Sequence, residues 1–410
     1  MEKENIQLKD DLSFYIKSYK EIVRELKNKD TKEYRKAKVA LLSSSTIRGL
    51  KEVLFVKCYN EGILLDIFMG EYNQYTQEIL DKTSKLYAFA PDLIFMFVDT
   101  ISLLCDHRFD FDQLMYDEKL EFGNTIFEQF SMLVNTLKQN LKSKIVVHNF
   151  EIPEMSSLGI LENKQDLGFH EFVEMMNARL RSFCKNDAQV FVFNYEAFCA
   201  RQGKRNIFDY KMYYLADIKI AMRYWPTLCD EYVVYVKALL SMIKKCLVLD
   251  LDNTLWGGII GEDGISGIKL GPTLEGRPFL EFQKYIFSLF HKGVILAVNS
   301  KNNLEDVVDV FNNHPHMILK EEHFASKQIN WDDKVVNMQA IAKEINLGLD
   351  SFVFIDDDQG NREMVKRSLP QVTVIDLPED PALYLEAITD IADFNSFHLI
   401  EEDRRKGQMY

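Results

Sequence analysis

Two series of short apolar runs, each broken by helical patterns, divide the chain. The first contains "KVALLSSSTI" (38–47), "GILLDIFMG", "DLIFMFVDT", "SKIVVHNF" and "AQVFVFNYEAF". Each run is short, β-branched or aromatic, and fits a buried strand. Residues up to about 36 predict a charged amphipathic helix. The stretch "CDEYVVYVKALLSMIKK" predicts another, ending near Lys244. A second series follows: "CLVLDLD", "GVILAVNS", "SFVFIDDD" and "QVTVIDL", separated by patterns such as "DDKVVNMQAIAKEINLG". Strands alternating with helices imply parallel sheets whose carboxyl-edge loops carry any chemistry. The expected fold is therefore α/β, with two doubly wound domains at 1–244 and 245–395. The last stretch (396–410) reads as the start of a further C-terminal segment or as a frayed terminus, since "EEDRRKGQMY" is helix-like and has no C-cap glycine.

A length of 410 residues exceeds what one hydrophobic core usually serves, which agrees with two domains. A net charge of −14 argues against a general nucleic-acid binder, which would show a basic footprint. The opening "MEKENIQLKDD" has no apolar core for a secretion signal, and "DLIFMFVDTISLLC" is too short to span a bilayer. Six cysteines without a C-x-x-C pair suit reduced thiols. These features predict a soluble cytoplasmic protein with no nucleic-acid or membrane partner.

The candidate chemistry lies in the second series. "KCLVLDLDNTLWGG" (245–258) places Asp250 and Asp252 at the end of an apolar strand, where unpaired carboxylates would be costly. A cation must compensate them. Three other strand-end regions add Ser300, Lys334, and Asp356, Asp357 and Asp358. On one sheet edge these groups suit phosphoryl transfer. A carboxylate attacks phosphorus, further carboxylates hold a hard cation, a hydroxyl binds phosphate, and a lysine offsets negative charge. All-oxygen ligands point to Mg²⁺.

"DLDNT", the strand-ending serine, the lysine and "IDDD", in that order, resemble the four motifs of the haloacid dehalogenase (HAD) superfamily. The resemblance implies Asp250 as nucleophile and Asp252 as general acid/base. It implies Ser300 and Lys334 as the phosphate-binding pair. Metal would be held by Asp250, the Asp252 carbonyl, and Asp357 with or without Asp356. Thr254, Trp256, Gly257 and Asn302 are the expected substrate-binding positions around these groups. "LDLDNTLWGGIIGEDGISGIKLG", "NSKNN", "HPHM", "NWDDK" and "VFIDDDQGNRE" further resemble the FkbH-like branch of the capless HAD-IIIC phosphatases. That branch implies removal of phosphate from 1,3-bisphosphoglycerate and loading of a glyceryl unit onto the phosphopantetheine thiol of an acyl carrier protein. "LLSSSTI", "MGEYNQYTQEIL" and "LYAFAPDLI" resemble an SGNH-hydrolase-like (flavodoxin-like) N-terminal domain.

Some positions depart from these patterns. Asp358 and Gln359 stand where relatives tend to have asparagine–proline. No G-D-S surrounds Ser43, Ser44 or Ser45, and no histidine lies three residues after Asp217. The N-terminal domain therefore reads as a degenerate binding or docking module. His148 is expected to be structural, and His170 likewise. The segment from Trp256 to about Gly271 predicts a short β-flap over the site. Cys246 reads as a packed thiol, with an acyl relay as the sharper alternative. Lys269, Arg277, Lys301 and Arg362 are candidate cations for an acidic carrier protein. Three functions are thus carried forward: FkbH-type glyceryl transfer, a plain HAD phosphatase on a small phosphorylated substrate, and a quiet docking scaffold.

Overall fold

The computed structural model describes residues 11–398 apart from 105, 106, 108 and 390. The C-terminal "EEDRRKGQMY" and Cys105 lie outside the described residues. The chain divides into two compact units, Met1–Leu240 and Ser241–Tyr410.

The first unit begins with the helix Leu12–Leu26, started by Asp11, whose carboxylate accepts from the Ser13 N–H. Its five parallel strands are β1 (Arg35–Ser43), β2 (Ile63–Met69), β3 (Leu93–Phe97), β4 (Lys144–His148) and β5 (Val190–Phe193), in the order β2-β1-β3-β4-β5. Every residue of β3 is buried, as expected for a strand covered on both faces. Helices such as Tyr116–Asn140 and Phe169–Cys184 close one face over Ile94, Met96, Ile145 and Val147. The strand order reverses at β1 and β3, which opens a crevice at their carboxyl ends.

The second unit repeats this logic. Its strands are β6 (Cys246–Leu249), β7 (Ile295–Ser300), β8 (Phe324–Ile329), β9 (Phe352–Asp356) and β10 (Thr373–Asp376), all parallel, in the order β10-β9-β6-β7-β8. Alternation along β6 sends Leu247 and Leu249 into one core and Cys246 and Val248 into the other. β6 lies between β7 and β9, so Asp250 and Asp356 emerge side by side at the reversal of strand order.

Two expectations change here. The region after Trp256 is not a β-flap. It holds a single antiparallel bridge, Gly257 to Lys269, around the helix Ile260–Gly267, which is kinked at Gly264. β8 had no counterpart among the expected strands.

Candidate active site

Each functional side chain is delivered by a strand end or a capped helix start. Asp250 follows β6, and its N–H donates to the Ile355 carbonyl of β9 at 3.0 Å. Asp333 caps the helix Lys334–Glu344 by accepting from the Val335 N–H. That cap makes Lys334 the first helical residue, beside the sheet edge. Its side chain is 1% exposed. Nζ lies 2.6 Å from Asp250 Oδ1, 3.0 Å from Asp356 Oδ2 and 2.7 Å from the Asn299 carbonyl. Burial alone would lower the lysine pKa. The Asp250 and Asp356 carboxylates outweigh it and hold the ammonium above its ordinary value.

Asp250, Asp356 and Asp357 each offer a carboxylate oxygen, all within 4.8 Å of one another. Burial raises Asp356, with the Asp250 charge adding and Lys334 opposing. Burial, then Asp250 and Asp356, push Asp357 up to about 7. Among the described residues Lys334 is the only cation ion-paired with this trio. Three carboxylates and one lysine leave the pocket short of positive charge, as a metal-binding donor set would be without its ion.

Asp252 is held separately from the trio. Its Oδ1 accepts from the Trp256 indole N–H at 2.9 Å and the Ile260 N–H at 3.1 Å. Its Oδ2 accepts from Asn302 Nδ2 at 3.0 Å. The second Asn302 amide hydrogen reaches Ser300 Oγ at 3.1 Å. An amide carries two N–H bonds, and both are therefore committed to the protein. Ser300, accepting from Asn302, keeps its own hydroxyl hydrogen for a ligand.

The structure thus brings Asp250, Asp252, Ser300, Lys334, Asp356 and Asp357 to one edge, but it recasts the expected substrate contacts. Trp256 and Thr254 are both fully buried. Trp256 braces Asp252, and Thr254 Oγ1 accepts from the Asp357 N–H at 3.2 Å. Asn302 braces Asp252 and Ser300. Gly257 is buried by close packing, since a Cβ there would come within 2.8 Å of the Phe279 ring. In this geometry Trp256 and Thr254 brace the carboxylate loops, Gly257 offers only backbone, and Asn302 has both amide hydrogens committed. Burial and spent hydrogen bonds, invisible in a motif, account for the difference.

Other residues emerge only from the structure. Asn253 adopts φ 53° and accepts from the Gly258 N–H, while Tyr384 donates to its carbonyl at 3.1 Å. Asn361 Nδ2 lies 3.3 Å from both Asp356 oxygens. Asp358 caps the helix Gln359–Ser368, and this fixes the loop shape at the unusual Asp358–Gln359 pair. Arg362 is not a docking cation. It is 8% exposed, and Nη1 donates to the carbonyls of Asp356 and Asp357 at 2.7 and 2.6 Å. Lys269 pairs with Glu275 at 3.5 Å, whereas Arg277 and Lys301 are exposed. Cys246 is wholly buried, with its thiol pushed far above the ordinary range by that burial, which removes the basis for an acyl relay. Cys58, Cys184, Cys199 and Cys229 are also free and buried.

In the first unit the serine cluster holds no hydrolytic triad. Ser44 Oγ donates to Asp99 Oδ2 at 2.5 Å, and Lys219 Nζ donates to the same oxygen at 2.8 Å. His148 is buried, bonded to the Tyr232 hydroxyl at 2.7 Å, and held neutral by burial, which lowers it to about 3. Neither arrangement gives a serine a free base.

A Rossmannoid sheet with carboxylates converging at its reversal point defines a phosphatase domain of the HAD type. Residues 245–383 match the NLI interacting factor-like phosphatase family, and residues 38–237 match the FkbH N-terminal domain. Among solved structures, the N-terminal part of the protein BF1531 from Bacteroides fragilis, which contains a phosphatase domain and is complexed with Mg, is 31% identical. It superposes with a TM-score of 0.82, covering 93% of this chain and 99% of that one. The chain belongs to the same family, in which an FkbH N-terminal domain is joined to a HAD/NIF-like phosphatase domain. No curated protein matches it significantly.

Proposed function

We propose that the C-terminal unit transfers phosphoryl groups through an aspartyl-phosphate on Asp250, with Mg²⁺ as cofactor. The observation that carries this is the buried Lys334 bridging Asp250 and Asp356 beside Asp357, a trio with excess negative charge. The donors are hard oxygens, which suits Mg²⁺, and the Bacteroides fragilis relative is complexed with Mg. Asp250, Asp356 and Asp357, together with the Asp252 carbonyl, would hold the ion. When bound, it offsets charge on the phosphate oxygens and orients them.

The residues divide the remaining work. Asp250 attacks phosphorus, forming its own P–O bond as the ester P–O bond breaks. Lys334 offsets negative charge on the attacking carboxylate and on the phosphoryl oxygens. Ser300 donates its hydroxyl to phosphate. Asp252, held by three hydrogen bonds from Trp256, Ile260 and Asn302, protonates the leaving oxygen. It then takes a proton from the water that attacks the aspartyl-phosphate and releases inorganic phosphate.

The finer reading is FkbH-type: the carrier-protein thiol attacks C1 of 1,3-bisphosphoglycerate, the acyl–phosphate C–O bond breaking and phosphate leaving as the thioester C–S bond forms. The 3-phosphate ester is hydrolysed through Asp250, so that a glyceryl thioester and two phosphates result. The FkbH N-terminal match at residues 38–237 supports it. With Cys246 sealed in the core, the carrier's own phosphopantetheine sulfur is the acceptor, without a protein thiol between. The N-terminal unit serves as a binding module. This reading puts the protein in the cytoplasm, where such phosphorylated intermediates occur. Incubation with 1,3-bisphosphoglycerate and a phosphopantetheinylated carrier protein, read by intact mass, tests this. A glyceryl adduct supports transfer. Phosphate release with an unmodified carrier leaves the plain phosphatase on a small metabolite, which the self-contained hydrolytic site favours.

A further inference from the structure

The N-terminal unit contains a cavity of about 780 Å³ at the carboxyl edge of its sheet. The volume lies within the range of small-molecule sites. Its walls come from three strand ends: Asp99 and Thr100 after β3, Glu151 after β4, and Tyr195 after β5. Eight of the 25 lining residues are aromatic, Phe97, Phe111, Phe169, Tyr195, Phe208 and Tyr214 among them. Phe97, Phe111 and Tyr195 are themselves buried, so that wall is part of the packed core.

The polar lining is unbalanced. Each cation is already matched to a carboxylate. Lys219 pairs with Asp99, Lys204 with Glu196, and Arg205 with Glu154. Two lining carboxylates, Glu151 and Asp112, have no cationic partner among the described residues. Ser157 donates to Asp112 Oδ2, while Asp112 Oδ1 is buried without any hydrogen-bond partner. Thr100 Oγ1 lies 2.7 Å from Glu151 Oε2 and 2.8 Å from the Glu151 carbonyl. One hydroxyl hydrogen cannot serve both acceptors. Burial, then the nearby Asp99 charge, push the Glu151 carboxyl up to about 7, and a cation beside it would relieve both effects.

We propose that this cavity binds an amine-bearing organic molecule, its ammonium group meeting Glu151 and its apolar body lying against the aromatic walls. Aromatic faces attract cations, and the two unmatched carboxylates complement the ammonium charge. Among the described lining residues, a carboxylate or phosphate ligand would find no unmatched cation to receive it. The site is separate from the phosphoryl-transfer residues, all of which lie in the other unit.

The test uses two probes with one body and opposite heads, tryptamine and indole-3-propionate, titrated against the full chain by saturation-transfer NMR. Tryptamine is expected to saturate and to bind at least about fivefold more tightly than the acid, a margin of the size that cation–π and ion-pair contacts give. Glu151→Gln, close to isosteric, should remove that preference while p-nitrophenyl phosphate hydrolysis is unchanged. Tyr214 is 77% exposed, so Tyr214→Ala should fold normally, and it should weaken tryptamine by removing part of the wall. A preference below about fivefold, no saturable tryptamine binding, or the same preference in folded Glu151→Gln would each overturn the proposal. The parent's preference decides the matter even if Glu151→Gln does not fold.

Discussion

Replacing Trp256 by phenylalanine isolates one hydrogen bond at the proposed acid/base. The indole N–H donates to Asp252 Oδ1 at 2.9 Å, and Trp256 is fully buried. Phenylalanine keeps an aromatic ring near Phe311, whose centroid lies 6.5 Å away, and removes the donor. The Ile260 N–H and Asn302 remain, so Asp252 stays in place but is less firmly oriented. A hydrogen bond to a charged acceptor contributes about 1.5–3 kcal/mol. If that orientation acts mainly in the transition state, kcat should fall roughly 10- to 100-fold with little change in KM. The leaving group gives the control. An alkyl phosphate such as glycerol 3-phosphate needs a proton on its departing oxygen, whereas p-nitrophenolate leaves without one. Steady-state kcat/KM, which reports the steps up to loss of the leaving group and not the later Asp252-assisted attack of water, should show the large loss on the alkyl phosphate and a much smaller one on p-nitrophenyl phosphate. Equal losses, or a change confined to KM, would refute the bracing role.

Other perturbations follow from the same geometry. Asp250→Asn should cut phosphate release by several orders of magnitude with the fold intact, because the amide cannot attack phosphorus; release within about tenfold of the parent would contradict the assignment. Lys334→Met should destabilise the C-terminal unit by about 3–5 kcal/mol, since two buried carboxylates lose their partner, and added Mg²⁺ should recover part of this in a thermal melt. Mg²⁺ should raise the melting temperature of the parent, and activity should be lost after EDTA and regained with Mg²⁺ but not with Ca²⁺. His148, held at about 3 by burial, takes up a proton near its ordinary value only when unfolded. Stability should therefore be lost as pH falls below about 6.5, reaching about 3 kcal/mol at pH 4. Glu151, raised to about 7, acts in the opposite sense, so the parent-minus-His148→Gln difference from urea melts is the quantity to read. A difference that does not change with pH would contradict the neutral His148.

Apolar runs located the strands well wherever both faces are covered, as in β3, β6 and β9. They missed β8, "FASKQI", because it is an edge strand with little continuous apolar sequence. Its Ser326 bonds to Glu344 and its Lys327 to Glu321, so polar side chains occupy positions that an interior strand would fill with Val or Ile. The chemistry of the site was legible for the same reason that it is costly: carboxylates at the ends of apolar strands demand a cation. What could not be read was which polar residues face inward. Arg362 looks like a surface charge in "DDDQGNRE", yet it is buried beneath the carbonyls of Asp356 and Asp357. Trp256 and Asn302 look like ligand contacts, yet the indole N–H is spent on Asp252 and the two amide hydrogens on Asp252 and Ser300. Such roles depend on long-range packing that local spacing does not encode. The glycines after Trp256 suggest a hairpin flap, because they resemble hairpin-turn residues, although Gly264 only kinks a helix.

The central claim is a covalent phosphoryl group on Asp250. Rapid quench of the full chain turning over p-nitrophenyl phosphate with Mg²⁺, followed by borohydride reduction and peptide mass analysis, tests it directly. An acyl phosphate is reduced to the alcohol, so the account predicts homoserine at position 250, dependent on both substrate and Mg²⁺ and absent from Asp250→Asn. Reduction at another carboxylate, or unmodified Asp250 during steady turnover under conditions that trap a known acyl phosphate, would contradict it.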